Sequence, residues 1–107
     1  MDQVYSFSVP KKFEVITLTD GATPVRLKTV LGDEKFHPGT IAVQVQNAGD
    51  DGVFWAWASS APSGVEAMGL LPEGQIIRFN WEEKDLNDLW VAGQSAGSKI
   101  VCMQEGK

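Results

Sequence analysis

The segment LLPEGQIIRFNWEEKDLNDLWVAGQSAGSKIVCM, residues 70–103, decides the fold prediction for this chain. It contains three apolar runs separated by turn-forming residues. In the first run Ile77, Phe79 and Trp81 alternate with polar residues, which is typical of a strand with one buried face. The three runs are residues 75–81, 89–93 and 99–103. We predict that they form a β-meander that closes the chain.

The preceding residues show the same alternation of apolar and polar side chains. The predicted strands there are residues 4–9, 12–18, 25–31, 41–46 and 53–58. Asp20-Gly21 favours a tight turn, so residues 12–18 and 25–31 are expected to pair as a hairpin. In the second strand of that hairpin the odd-numbered residues should face the core. No segment shows a helical pattern.

These strands define the predicted fold class. About eight short strands at a spacing of roughly 8–12 residues are typical of sandwiches and barrels. A chain of 107 residues is the size of one domain. We therefore predict an all-β, single-domain β-sandwich or jelly-roll-like barrel over residues 1–107. The predicted core residues are Val43, Val45, Val53, Trp55, Trp57, Ile77, Phe79 and Trp81.

Composition and charge exclude several function classes. The formal net charge is −5 and the nine basic residues are scattered, which disfavours direct binding of nucleic acid. No long apolar segment predicts a signal sequence or a membrane-spanning helix, so the expected site of synthesis is a cytoplasm. The single cysteine cannot form an internal disulfide bond.

The sequence shows no catalytic constellation. His37 is the only histidine and precedes Pro38 in a loop, and Cys102 alternates with Ile100 as a buried small hydrophobe would. Acidic residues cluster in two turns but lack the regular ligand spacing of a calcium loop. They are Asp50, Asp51, Glu82, Glu83, Asp85 and Asp88. The prediction is a non-enzymatic protein without cofactor or metal.

Four tryptophans in a short chain suggest three possible uses: filling the core, anchoring a protein contact or stacking on sugars. The strand at residues 53–58 has no plainly polar face, so both of its faces should be covered. We predict core positions for Trp55 and Trp57. The candidate interface residues are Phe36, Phe54 and Trp90, with Phe36 able to tuck inward or to lie exposed.

Residues 41–103 resemble the small β-sandwich virion proteins of tailed bacteriophages. The resemblance lies in a valine-rich strand followed by a polar turn, an L-P-x-G element, a D-L-x-x-[IL]-[WYF]-[VA] element and a glycine turn before the last strand. In this chain the last three elements are Leu71-Pro72-Glu73-Gly74, then Asp85, Leu86, Leu89, Trp90 and Val91, then Ala96-Gly97-Ser98-Lys99. Residues 1–40 match no motif of that group and are candidates for contacts with neighbouring subunits.

The resemblance implies a structural role in a virion, without catalytic residues. It suggests a capsid decoration (cement) protein that forms a homo-oligomer and contacts the major capsid or tail protein. The alternative is a carbohydrate- or receptor-binding module of a tail or fibre, in which Trp55, Trp57 or Trp90 stacks on sugars. A small cupin-like enzyme is a third reading, but it requires several metal-binding histidines and the chain has one.

Overall fold

Eight strands form two antiparallel sheets in the computed structural model, which describes residues 9–19, 21–31, 36, 39–80 and 84–106. The strands are β1 (Val9–Leu18), β2 (Val25–Arg26), β3 (Thr40–Asn47), β4 (Val53–Trp57), β5 (Gly69–Leu71), β6 (Ile76–Asn80), β7 (Leu89–Gly93) and β8 (Ser98–Gly106). A four-residue helix, α1 (Leu27–Val30), follows β2. Two 3₁₀ turns, Val65–Ala67 and Leu86–Asp88, precede β5 and β7.

The strand order is that of a jelly roll. The first sheet has the order β1-β8-β3-β6 and the second has the order β2-β7-β4-β5. Four antiparallel pairs, β1 with β8, β2 with β7, β3 with β6 and β4 with β5, are nested as in one long hairpin. Folding that hairpin over itself places two of the pairs in each sheet. The predicted all-β sandwich of eight strands is confirmed.

The core lies between the two sheets. Of the predicted core residues, Val43, Val45, Val53 and Phe79 are buried. Trp55, Trp57 and Ile77 are partly buried and pack against them. Trp81 lies outside the described residues.

The predicted meander is wrong, although its three strands exist. β6 pairs with β3, β7 pairs with β2 and β4, and β8 pairs with β1 and β3. The connections from β6 to β7 and from β7 to β8 therefore cross from one sheet to the other. Alternation along a strand reveals its buried face but not its neighbours, and this is why sequential pairing was the wrong inference.

The predicted hairpin of residues 12–18 with 25–31 is also wrong. β1 pairs with β8, and only Val25–Arg26 continues as a strand before α1 begins. Leu27 and Leu31 are buried and Thr29 is exposed, so the segment presents residues four apart to the core. The expectation that the chain has no helix fails at this point. The predicted strand at residues 4–9 lies outside the described residues except for Val9.

β1 also extends further than predicted, because Pro10 does not end it. β1 is an edge strand of its sheet, and its register with β8 shifts between Pro10 and Lys12. Proline has no N–H to donate and is tolerated at the edge of a sheet or at a bulge.

Candidate protein-interaction face

The outer face of the sheet β1-β8-β3-β6, here called the outer face, exposes large apolar side chains. Phe13 is 65% exposed, Val15 is 66% exposed and Ile76 is 55% exposed. In the part of the chain that the structure describes, the other large hydrophobic residue with comparable exposure is Leu70, on β5 of the second sheet. Apolar side chains grouped on one sheet face, rather than scattered singly, mark a candidate interaction surface.

Strand register arranges these side chains in two rows that cross all four strands. One row contains Phe13, Met103, Gln44 and Arg78, and the next contains Val15, Val101, Gln46 and Ile76. Each row begins with two apolar residues, one on β1 and one on β8, and continues with a glutamine on β3. The result is an apolar surface with an amide strip across it.

A shallow groove of about 150 Å³ runs over this strip. Its lining residues are Phe13, Gln44, Gln46, Ile76, Val101 and Met103. Phe13 on β1 and Ile76 on β6 form its two sides. A cavity of about 150 Å³ with an apolar lining is large enough for one benzene ring, so the groove has the size of a single aromatic side chain.

The described part of the outer face has little net charge. Arg78 Nε lies 3.2 Å from Glu105 Oε2, and Gln44 Nε2 donates to the same oxygen at 2.9 Å. Lys99 is an exposed cation on β8. Among the described side chains of this face, Arg78, Lys99 and Glu105 therefore sum to one positive charge, whereas the whole chain has a net charge of −5.

Sequence reasoning missed this face. Phe13, Val15, Val101 and Met103 were not predicted as site residues, although β1 and β8 have apolar residues on both of their faces. Such strands indicate a second covered surface, as was inferred only for residues 53–58. The alternation could have shown that β1 and β8 are apolar on both faces. It could not have shown that these two strands are neighbours in one sheet.

Trp90, predicted as an interface anchor, is 8% exposed. Its indole Nε1 donates to the carbonyl of Ala58 at 2.8 Å, and the guanidinium of Arg26 lies 4.8 Å from the ring centroid. Arg26 is held there by Asp88 Oδ1 at 3.1 Å and by the carbonyl of Ser59 at 2.9 Å. The interface assignment of Trp90 is therefore corrected: its ring is covered by the chain itself, and an anchor must be accessible before a partner arrives.

The other two interface candidates occupy different environments. Phe54 is partly buried on β4, paired with Leu70 of β5 and Ala92 of β7. Phe36 packs against the core, which is the inward alternative left open by the sequence. Neither of them lies on the outer face defined above.

The motifs that carry the phage resemblance lie at turns before strands. Gly74, with φ of +79°, ends the turn before β6, and Gly97, with φ of +99°, ends the turn before β8. Before β7, a side-chain oxygen of Asp85 accepts a hydrogen bond from the backbone N–H of Asn87 at 2.9 Å. These residues define local turn geometry, and they do not converge on one site.

A second, more polar cleft of about 330 Å³ lies beside Trp57. Its lining residues are Trp57, Ala58, Ser59, Lys84 and Asp88. One aromatic wall with a cation, a carboxylate and a hydroxyl around it is the kind of lining that orients a polar ligand. Arg26 fixes one rim of the cleft through Asp88 and Ser59.

The remaining reactive groups that the structure describes form no site. Cys102 is buried, and burial, together with the neighbouring Glu14 carboxylate, raises the pKa of its thiol to about 12. Within the described ranges no three His, Cys, Asp or Glu side chains are grouped so as to hold a metal ion. The same ranges contain no helix long and apolar enough to cross a membrane. His37, Glu82 and Glu83 lie outside the described residues.

Comparison of the chain with protein-family models, with curated proteins and with solved structures finds no match.

Proposed function

We propose that this chain is a non-enzymatic structural protein of a tailed-bacteriophage virion, a capsid decoration protein that stabilises the particle through contacts made by many copies. The single observation that carries the proposal is the exposed apolar outer face with Phe13, Val15 and Ile76. A face of this kind is expected to be covered in the working assembly. In this proposal its partners are the major capsid or tail protein and further copies of this chain, and it acts in the virion after synthesis in the host cytoplasm.

Two further observations support the proposal. The strand order is that of the jelly roll, an architecture that is frequent in viral capsid proteins and also occurs in lectins and cupins. The resemblance of residues 41–103 to small phage virion proteins points to the first of these uses. Fold alone does not determine function, so the proposal depends on the exposed face and on the experiment below.

The experiment separates particles from free protein in lysates of phage-infected cells that produce the chain. Particles are banded by density, and the chain is detected with an antibody raised against the purified protein. We expect the chain to band with DNA-filled particles. Particles assembled without the chain should bind wild-type protein that is added afterwards. Added Phe13→Ser protein should bind them much less.

Leu70→Ser is the matched control, because Leu70 is 56% exposed but lies on the other sheet. It should bind particles as the wild type does. Recovery of the chain only in the free fraction would contradict the virion role. Equal binding by Phe13→Ser and the wild type would remove the outer face from the proposal.

The second candidate function is a carbohydrate-binding module. The observation that favours it is the cleft beside Trp57, where Lys84, Asp88 and Ser59 surround one aromatic wall. Titration with cell-surface glycans, followed by tryptophan fluorescence, tests it. A saturable shift that is lost in Asp88→Asn would support sugar binding, and an unchanged spectrum with every glycan would contradict it.

A further inference from the structure

We infer that the outer face binds a second copy of this chain, with a two-fold axis that inserts Phe13 of each copy into the groove of the other. This inference rests on the proposed role of the face in protein contacts and names the partner. In such an isologous dimer the same surface is used by both subunits, so one face must provide both the protruding group and its receptor.

Shape is the first argument for a second copy. Among the described side chains of the outer face, the one strongly exposed aromatic ring is that of Phe13. The groove on the same face has a volume of about 150 Å³, which suits one aromatic ring. The ring and the groove that can receive it thus lie on one face. In two copies related by a two-fold axis, each ring can enter the groove of the other copy.

Charge is the second argument. Two chains of net charge −5 repel each other, and the repulsion is smallest where carboxylates are absent or neutralised. On the outer face the carboxylate of Glu105 is paired with Arg78 and bonded to Gln44. The acidic residues Asp50, Asp51 and Asp85 lie in connecting loops instead.

Area sets the expected strength. Four strands about 4.8 Å apart and about six residues long, at about 3.3 Å per residue, give a flat face of roughly 400 Å². A stable complex buries about 800 Å² on each partner. We therefore expect a weak dimer, with a dissociation constant on the order of 100 μM, that forms readily where many copies are held close together on a particle.

The test is the solution mass of the full chain, measured by sedimentation velocity from about 1 μM to 1 mM. We expect the wild type to pass from monomer to dimer over this range. Phe13→Ser should weaken the dimer at least about 30-fold, as loss of an interface hot spot does. Leu70→Ser should dimerise like the wild type, and circular dichroism should show that all three chains are folded.

A complementation experiment tests the reciprocal arrangement. Gln46→Arg places a long charged side chain in the groove, and we expect it to be monomeric like Phe13→Ser. Mixing the two variants should restore a weak heterodimer, because the groove of the Phe13→Ser chain loses one side but keeps its other lining residues, and the ring of the Gln46→Arg chain can enter it. The opposite contact then lacks a ring and does not clash.

Several outcomes would overturn the inference: a wild-type monomer at 1 mM, a dimer unaffected by Phe13→Ser, a trimer or larger ring, or no association in the mixture. The first of these, found for a chain that still bands with particles, would overturn the second-copy inference and leave the virion proposal standing. A chain that dimerises as expected but never bands with particles would overturn the virion proposal and leave the second-copy inference standing.

Discussion

Phe79 is the aromatic residue on which two tryptophans of the core converge. The ring centroids of Trp55 and Trp57 lie 5.2 Å and 5.5 Å from that of Phe79, both in edge-to-face geometry. Phe79→Ala should therefore lower the free energy of unfolding by about 3–5 kcal/mol, the usual cost of emptying such a site. Urea unfolding, followed by tryptophan fluorescence at a few micromolar protein, measures this loss.

Ile76→Ala is the control for this prediction, because Ile76 lies on the same strand and faces outward. At a concentration where the chain is monomeric it should lower the free energy of unfolding by less than about 1 kcal/mol. Equal losses for the two variants would show that the register of β6 is wrong.

Cys102, on β8 of the same sheet as Phe79, tests the burial of that sheet's inner face a second time. Its thiol has a pKa of about 12 because burial, and then the carboxylate of Glu14 on the paired strand, disfavour the thiolate. Only the thiolate attacks a disulfide reagent. At pH 9 the folded chain should react with such a reagent at least about 100-fold more slowly than the chain in urea. A rate close to that of the unfolded chain would place Cys102 at the surface.

The same pKa difference has a consequence for stability at alkaline pH. A thiol that holds its proton more tightly in the folded state stabilises the fold below the unfolded pKa near 9, and this contribution is lost as the pH rises toward 12. The wild-type free energy of unfolding should therefore fall more steeply between pH 9 and 11 than that of Cys102→Ala. The difference between the two curves isolates the contribution of Cys102.

At the scale of the element, α1 shows where sequence reasoning reaches its limit. Leu27 and Leu31 are four residues apart, a spacing that places them on one face of a strand and also on one face of a helix. The residue that distinguishes the two structures is Thr29, which faces inward in a strand and outward in a helix. β3 and β6 were predicted correctly because polar side chains separate the apolar ones along most of each strand, as Gln44 does in β3 and Arg78 in β6.

The helix gives a paired prediction for these residues. Leu27→Ala should lower the free energy of unfolding by about 2–5 kcal/mol, since Leu27 is fully buried. Thr29→Ala should change it by less than about 0.5 kcal/mol, because Thr29 is exposed and alanine favours a helix. Denaturant unfolding measures both values. A large loss for Thr29→Ala would restore the strand that alternation predicted.

The outer face belongs to the same scale, because it arises from the pairing of elements. Phe13 and Val15 on β1 and Val101 and Met103 on β8 are visible in the sequence as apolar residues on the second face of a strand. Their union into one surface requires β1 to pair with β8, two strands at opposite ends of the chain. Local patterns contain no information about so distant a pairing, so the candidate site could not be predicted from them.

At the scale of the molecule, the nested hairpin explains why most of the strands could be predicted and their order could not; β5, with three residues, was missed. Each of the four pairs joins strands whose positions sum to nine, so sequence separation decreases from β1 and β8 to β4 and β5. Closing the outermost pair first is entropically costly. Folds dominated by such distant contacts are expected to fold slowly.

Circular permutation turns this topology into a prediction. Val9 is paired with Gly106, so the outer ends of β1 and β8 are adjacent, and the permutant joins residue 107 directly to residue 1. New ends between Pro62 and Ser63 fall in the exposed connection between β4 and β5. This permutant should retain the fold and fold several times faster than the wild type, because β1 and β8 become neighbours in sequence.

Stopped-flow refolding and denaturant unfolding measure the two effects. The same joined chain opened between Val101 and Cys102 is the control, and it should not fold because β8 pairs with both β1 and β3. In the first permutant the pairs β3–β6, β4–β5 and β4–β7 become more distant in sequence. Each is shorter than the pairing of β1 with β8, so the gain at β1 and β8 should dominate. Slower folding of this permutant would mean that the transition state forms around the β4–β5 end of the roll, and that the pairing of the outer strands follows it.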